Sequence, residues 1–260
     1  MSEIVINAQN LSKNFYNFDS RLPFIKRFLK RNQITIRAVQ DISFTIKRGS
    51  IVGFIGSNGA GKSTTIKMLT GTLYPSSGKL EVNGEIPFKR SINFRKKISI
   101  VVGNKLQLFQ DVSAMDYFQL IGPLYEVEPA ILQERIQELS NLLNVKDQLY
   151  QQVRTLSLGQ KMKMEFIAAS LTSPEILFLD EPTIGLDIQS KKDIRTFLKK
   201  MNEECHTTII LTSHDMDDIS SVCDELIVID KGKIILQESM DVILSKFSDF
   251  KYLKIKMTLD

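Results

Sequence analysis

Hydrophobic positions follow two different periods along this chain. Ile4 and Ile6 alternate with polar neighbours, as do Ile42, Phe44 and Ile46, which is the pattern of half-buried strands. Lys47-Arg48-Gly49-Ser50 then turns into the unbroken apolar run Ile51–Ile55, predicting a strand buried on both faces. Helical sequence follows from Lys62 to about Leu69, then a turn at Pro75-Ser76-Ser77-Gly78 and strands at 79–82 and Ile98–Val102. From about Asp111 to Ser170 strand signals vanish, and Ile131, Ile136, Leu139, Leu142 and Leu143 are read as one helical face. Apolar strands return at 176–179, 207–211 and 226–229, separated by helical stretches. Alternating strands and helices predict an α/β fold with a largely parallel, doubly wound sheet, interrupted by an all-helical lobe at 111–170. The tail from Met240 predicts a short helix and a strand at 252–257.

Composition narrows the class. A chain of 260 residues can bury a sizeable core as one large domain or two lobes. Its longest apolar runs, IVGFI and ILFL, are far short of a membrane span. The start MSEIVINAQN lacks the basic flank and apolar core of a secretory signal. Cys205 and Cys223 lie far apart without metal-type spacing and read as ordinary thiols of a reducing cytoplasm. A net charge of +4 points to neither nucleic acid nor membrane as a partner. One segment, RLPFIKRFLKRN at 21–32, sets Leu22, Ile25, Phe28 and Leu29 among five basic residues. It fits either a helix lying on an anionic membrane or a surface helix packed on its own domain.

Two motifs carry chemistry. Gly56-Ser57-Asn58-Gly59-Ala60-Gly61-Lys62-Ser63 fits GxxxxGK[ST], sits between a buried strand and a helix, and leads into Thr64. Backbone N–H groups and the positive end of the helix converge there on phosphate oxygens. Lys62 would neutralise the β- and γ-phosphates, and the Ser63 hydroxyl would ligate Mg²⁺. The second motif, ILFLDEP, ends a buried strand in two acids, a costly placement unless they meet a cation or activate a water. Asp180 suits contact with Mg²⁺, and Glu181 suits polarisation of the water attacking the γ-phosphate.

Leu156-Ser157-Leu158-Gly159-Gln160 opens an apolar helix and resembles the LSGGQ signature of ATP-binding-cassette (ABC) ATPases. Gly185-Leu186-Asp187 resembles the D-loop of that family, and Thr212-Ser213-His214 its switch histidine. The resemblance runs from about Ile4 to Leu236. It implies a P-loop NTPase with a RecA-like core and an N-terminal antiparallel β subdomain, spanning 1–110 and 171–260, and a helical signature lobe at 111–170. Ser157, Gly159 and Gln160 would then bind the ATP of a second subunit, beside Asp187, and His214 would sense the γ-phosphate. Leu158 departs from the usual glycine and leaves the part played by its own N–H open.

The family also stacks an aromatic on adenine, a contact worth about 1–3 kcal/mol by analogy with base stacking. LSKNFY offers Phe15 and Tyr16, and spacing favours Phe15. A family glutamine touches Mg²⁺ or the attacking water. Counting back from Val112-Ser113 places Asn104 there, whereas Gln107 has the expected chemistry.

With one phosphate loop and one signature, the chain implies a head-to-tail ATPase dimer, most simply of two identical copies. Separate multi-span permease subunits would hold it at the cytoplasmic side of the cell membrane, with no nucleic acid involved. Leu106, Leu108, Phe109, Met115, Tyr117 and Phe118 mark the docking surface or, for Met115 and Phe118 above all, the interior of the helical lobe. EPTIGLD and TSHDMDD resemble the drug and antibiotic exporter branch; the alternatives are a nutrient importer or a non-transport ATPase.

Overall fold

The computed structural model describes residues 3–18 and 33–247. The segment at 21–32 and the expected strand at 252–257 lie outside these residues. Two sheets organise the rest. The first is antiparallel: β1 (Ile4–Phe18) pairs with β2 (Gln33–Lys47), and β4 (Ser77–Val82) joins the other edge of β1. The second has six strands in the order β5-β6-β7-β3-β8-β9. Here β3 (Ile51–Ile55), β5 (Ile98–Val102), β6 (Ile176–Asp180), β7 (Thr208–Ser213) and β8 (Glu225–Asp230) run parallel, and β9 (Lys233–Ser239) is an antiparallel edge.

Period-two alternation divides the central strands between two cores. Val52, Phe54, Ile176, Phe178, Ile210 and Ile227 pack with Ile6, Leu11, Ile42 and Ile46 of the antiparallel sheet and with Ile66, Met68 and Leu69. Their neighbours Ile51, Leu177, Leu179, Ile209, Leu211 and Leu226 face the opposite core, shared with Phe118, Ile136, Phe166 and Phe197. A sheet covered on both faces explains why these strands read as continuous apolar runs.

Eight α-helices are described. They are α1 (Lys62–Leu69), α2 (Ile92–Lys97), α3 (Ala114–Leu124), α4 (Pro129–Leu142), α5 (Leu158–Ser170), α6 (Ile188–Cys205), α7 (Met216–Ser220) and α8 (Met240–Phe247). Between β5 and β6 the longer elements, α3, α4 and α5, are all helical. A reciprocal capping box starts α3: Ser113 Oγ accepts from Asp116 N–H, and Asp116 Oδ2 accepts from Ser113 N–H.

Two readings change. Ile131 is exposed, and the buried face of α4 runs through Leu132, Ile136 and Leu139 and on to Leu143. Positions 131 and 136 differ by about 140° around a helix, whereas 132, 136, 139 and 143 keep the 3.6-residue period. Strand β9 was missed because its apolar run, Ile234-Ile235-Leu236, is short and half-exposed or exposed, as on an edge strand.

Candidate active site

Parallel register brings the chemical residues to one edge. Ile55 lies opposite Ser213, Asp180 opposite Thr212, and Val102 opposite Asp180, so the loops leaving β3, β5, β6 and β7 emerge side by side. A cavity of about 140 Å³ opens there, lined by Ser57, Asn58, Gly59, Ala60, Gly61, Lys62, Ser63, Thr64 and Glu181. Gly61 caps α1 with φ of +111° and no side-chain cap, so the loop leads straight into the helix N-terminus with its unpaired N–H groups.

The Lys62 side chain is buried and folds back over its own loop. Its Nζ donates to the carbonyls of Gly56 at 2.7 Å and Ser57 at 3.2 Å, and lies 3.2 Å from Glu181 Oε1. Ser63 Oγ and Thr212 Oγ1 both donate to Asp180 Oδ1, at 2.8 and 2.7 Å. Glu181 Oε2 meets His214 Nδ1 at 2.7 Å. Lys62, Glu181 and His214 thus form a continuous polar chain, with exposed His214 at its outer end.

The backbone holds Glu181 in an unusual state. Its φ is +50°, in the left-handed region that non-glycine residues rarely occupy, a strain of about 1–3 kcal/mol. Its N–H donates to the carbonyl and hydroxyl of Thr212, at 3.2 and 3.0 Å. Gly103 N–H donates to the Asp180 carbonyl at 2.9 Å, and a Cβ on Gly103 would sit 1.9 Å from the Glu181 carbonyl oxygen. The loop after β5 therefore braces the turn that presents Glu181. Gly103→Ala must push that turn aside, an overpacking cost of about 1–3 kcal/mol. The expected result is loss of ATP turnover with nucleotide binding retained, read by steady-state hydrolysis against a nucleotide titration.

Asn104 follows directly on this brace and is exposed, at the Asp180 end of β5. Gln107 is engaged elsewhere: its side chain donates to the Ile100 carbonyl at 2.8 Å, and it lines a groove with Tyr117 and Glu165. Phe15 pairs with Ile36 across the antiparallel sheet and is 38% exposed, with Lys13 Nζ 5.3 Å from its ring centroid. It does not line the phosphate-loop cavity.

Ser157, Gly159, Gln160 and Asp187 form a separate group, and none of them lines that cavity. Ser157 caps α5 in a reciprocal box: Ser157 Oγ accepts from Gln160 N–H at 3.2 Å, and Gln160 Oε1 accepts from Ser157 N–H at 2.9 Å. Asp187 caps α6, accepting from Ser190 N–H at 2.9 Å and Ser190 Oγ at 2.7 Å, and these bonds hold its carboxyl below the usual range. A Cβ on Gly159 would meet Ser190 Oγ at 2.2 Å, so glycine here lets the two caps touch. Leu158, 45% exposed, comes within 3.5 Å of the Cβ position of Gly185.

Some supporting residues were not singled out from sequence. Thr212 bonds both Asp180 and Glu181, and it lay in the quoted TSH motif. Buried Asp218 accepts from Thr183 at 2.6 Å and from Arg195 Nε at 3.2 Å, with Lys191 at 3.4 Å, tying the loop after Glu181 to α6 and α7. Buried Lys163 pairs with buried Asp193 at 2.5 Å, linking α5 to α6. Only proximity reveals such pairs, since their partners lie far apart in the chain.

Known proteins resemble this chain in sequence and fold. The family described as ABC transporter matches residues 39–184. The chain is 32% identical over 216 residues to the ABC transporter ATP-binding protein NatA of Bacillus subtilis, covering 83% of this chain and 87% of that one. It is 34% identical over 197 residues to the linearmycin resistance ATP-binding protein LnrL of the same organism, covering 76% of this chain and 63% of that protein. Among solved structures, cbiO1 of Clostridium perfringens, part of the ABC transporter complex cbiONQ, superposes with a TM-score of 0.76 at 26% identity, covering 94% and 92% of the two chains. A dimeric ATP-binding cassette in a post-hydrolysis state with ADP and Pi gives a TM-score of 0.75 at 21% identity over 90% and 98%, a likeness of fold. A phosphate loop, an Asp-Glu strand end and a separately placed LSLGQ cap on this fold, with these relatives, place the chain in the ABC transporter family as an ATP-binding subunit whose relatives hydrolyse ATP.

Proposed function

We propose that the chain powers an exporter by closing and opening a head-to-tail dimer around two ATP molecules, each held by the loop of one copy and the signature of the other. The observation that carries this reading is the separation of the LSLGQ group from the phosphate-loop cavity. Three exposed apolar residues, Leu158 at 45%, Ile184 at 45% and Ile188 at 88%, surround the signature and Asp187, as expected of a face that meets a partner. Moving such a pair from mostly open to mostly closed needs about 5.5 kcal/mol of differential binding. Charge-assisted contacts across a shared triphosphate are of that size, and hydrolysis removes them.

Within each site, Lys62 and the loop N–H groups hold the β- and γ-phosphates. Glu181 orients and deprotonates the attacking water, and His214 fixes the Glu181 carboxylate. The donor set of Ser63 hydroxyl and Asp180 carboxylate suits a hard cation, and Asp180 Oδ2 has no protein hydrogen bond among the described residues. When bound there, Mg²⁺ supplies charge neutralisation at the phosphates. Asn104 serves as the amide beside the nucleophile, supported by its place after Gly103. Phe15 is the residue for the adenine. The expected outcome is that Asn104→Ala lowers turnover at least tenfold while Gln107→Ala lowers ATPase activity far less, in side-by-side assays.

No helix among the described residues is long and apolar enough to cross a membrane. The reading therefore adds multi-span permease subunits and a peripheral place at the cytoplasmic face of the membrane. The resemblance to LnrL supports export over import. Vesicles reconstituted with the permease, carrying this chain and ATP on the outer face, decide the direction. Cargo accumulating inside marks export, and depletion of preloaded vesicles marks import.

A further inference from the structure

Asp180 and Glu181 are consecutive residues with different tasks, and the side chain of Thr212 stands against both. Thr212 lies opposite Asp180 on the neighbouring strand β7 and is buried, at 0% exposed. Its hydroxyl donates to Asp180 Oδ1 at 2.7 Å and accepts from the Glu181 N–H at 3.0 Å. A hydroxyl has a single proton, and here the carboxylate takes it, so towards Glu181 the oxygen acts as acceptor. Each bond therefore fixes the direction of the other.

The Asp180 side of this link is doubled. Ser63 Oγ of α1 donates to the same Oδ1 at 2.8 Å, so hydroxyls from two elements converge on one oxygen. Hydrogen bonds to a charged acceptor are the stronger kind. Two of them on Oδ1 set the rotation of the carboxylate and leave Oδ2 without a hydrogen bond among the described residues. On the other side, Glu181 sits at φ of +50°, a backbone state that persists only where its surroundings over-determine it. Its N–H has both the carbonyl and the hydroxyl of Thr212 as acceptors, at 3.2 and 3.0 Å. Valine in this place would fill similar space but offer neither proton nor lone pair.

We propose that Thr212 is a positioning residue for ATP hydrolysis, its hydroxyl holding the Asp180 carboxylate for the cation and the Glu181 turn for the attacking water as one unit. This role rests on the reading of Asp180 as the Mg²⁺ contact and Glu181 as the base, and it adds the group that keeps them in register. Thr212 does not line the phosphate-loop cavity, so it acts through its two neighbours rather than on the nucleotide.

The test compares Thr212→Ser with Thr212→Ala in the full chain, two variants that both lack the methyl group and differ by the hydroxyl alone. Thr212→Ala should lose at least about tenfold in kcat, the size of a lost hydrogen bond to a charged group. Its KM for ATP should stay within about twofold of the parent, since nucleotide binding is not what the hydroxyl serves. Thr212→Ser should keep kcat within about threefold of the parent, because its hydroxyl can make both bonds. Electron paramagnetic resonance of Mn²⁺, titrated with a non-hydrolysable ATP analogue, reads the cation without turnover. There Thr212→Ala should bind Mn²⁺ more weakly than Thr212→Ser, which should match the parent. Thermal unfolding checks both variants, and Thr212→Val, which keeps the volume, replaces Thr212→Ala if that chain does not fold. In the Glu181→Gln background at saturating Mg²⁺, Thr212→Ala should slow single-turnover hydrolysis little further, while its Mn²⁺ defect persists. Equal behaviour of the serine and alanine variants, or a loss carried by KM, overturns the role of the hydroxyl. A loss confined to kcat or to Mn²⁺ overturns the joint positioning, and an undiminished loss beside Glu181→Gln overturns the link to Glu181. Parental turnover in Glu181→Gln alone overturns the reading of Glu181 instead, and the Mn²⁺ comparison still decides the Asp180 side.

Discussion

Glu181→Gln is expected to bind ATP, lose about 10²–10⁴-fold in turnover, and accumulate as a nucleotide-bound dimer. The amide keeps the shape of the carboxylate and its contact with His214 Nδ1, now 2.7 Å from Oε2. It cannot take a proton from water at neutral pH, so the step that needs a base fails while binding survives. Binding should even tighten, since Glu181 Oε1 stands 3.2 Å from Lys62 Nζ and competes with phosphate for that ammonium. A closed dimer that cannot hydrolyse has no route to opening. Light scattering in the presence of ATP and single-turnover hydrolysis read both halves of the expectation. Unchanged turnover would remove Glu181 as the water-activating group.

Lys62→Ala should fail one step earlier, at binding. Its side chain is 4% exposed, and its ammonium is held by the Gly56 and Ser57 carbonyls at 2.7 and 3.2 Å. A preformed, buried cation pays little reorganisation when phosphate arrives. Removing one member of such a pair costs about 2–5 kcal/mol, which is roughly 30-fold to several thousand-fold in affinity. Titration with a fluorescent ATP analogue checks this, and an affinity within threefold of the parent would show that the loop N–H groups do the binding alone. Because Lys62→Ala also frees Glu181 Oε1, the two substitutions should not add. In the double variant, the further loss of affinity caused by removing Lys62 should differ from that in the parent.

Several expectations were legible because chemistry and local structure coincide in sequence. Ile51–Ile55 followed by GSNGAGKS places a strand, a loop and a helix in one stretch, and these are β3, the cavity-lining loop and α1. ILFLDEP and LSLGQ are equally local, each carrying its acid or its cap on the same short segment. The choice between Asn104 and Gln107 was only partly legible, since the count back from Val112-Ser113 favours Asn104 while the side-chain chemistry favours Gln107. Tertiary contacts distinguish their surroundings, with the Gln107 amide held by Ile100 and Asn104 following the brace on Glu181. The exposed edge strand β9 and the true buried face of α4 were missed for the related reason that partial burial leaves weak periodicity.

Local sequence by itself determined the phosphate loop, the acidic strand end and the signature cap, because each needs only neighbouring residues in a set conformation. Only the tertiary structure decided how they stand together. Parallel pairing of β3, β6 and β7 set Lys62, Ser63 and Glu181 on one cavity, with Asp180 bonded to Ser63 and His214 to Glu181, while Ser157 stands apart from that cavity. It also decided that Gly159 meets Ser190 and that the Thr212 hydroxyl bonds both Asp180 and Glu181. The reason is physical: hydrogen-bond register, close packing and desolvation belong to residues that meet in space, and spacing along a chain records none of them.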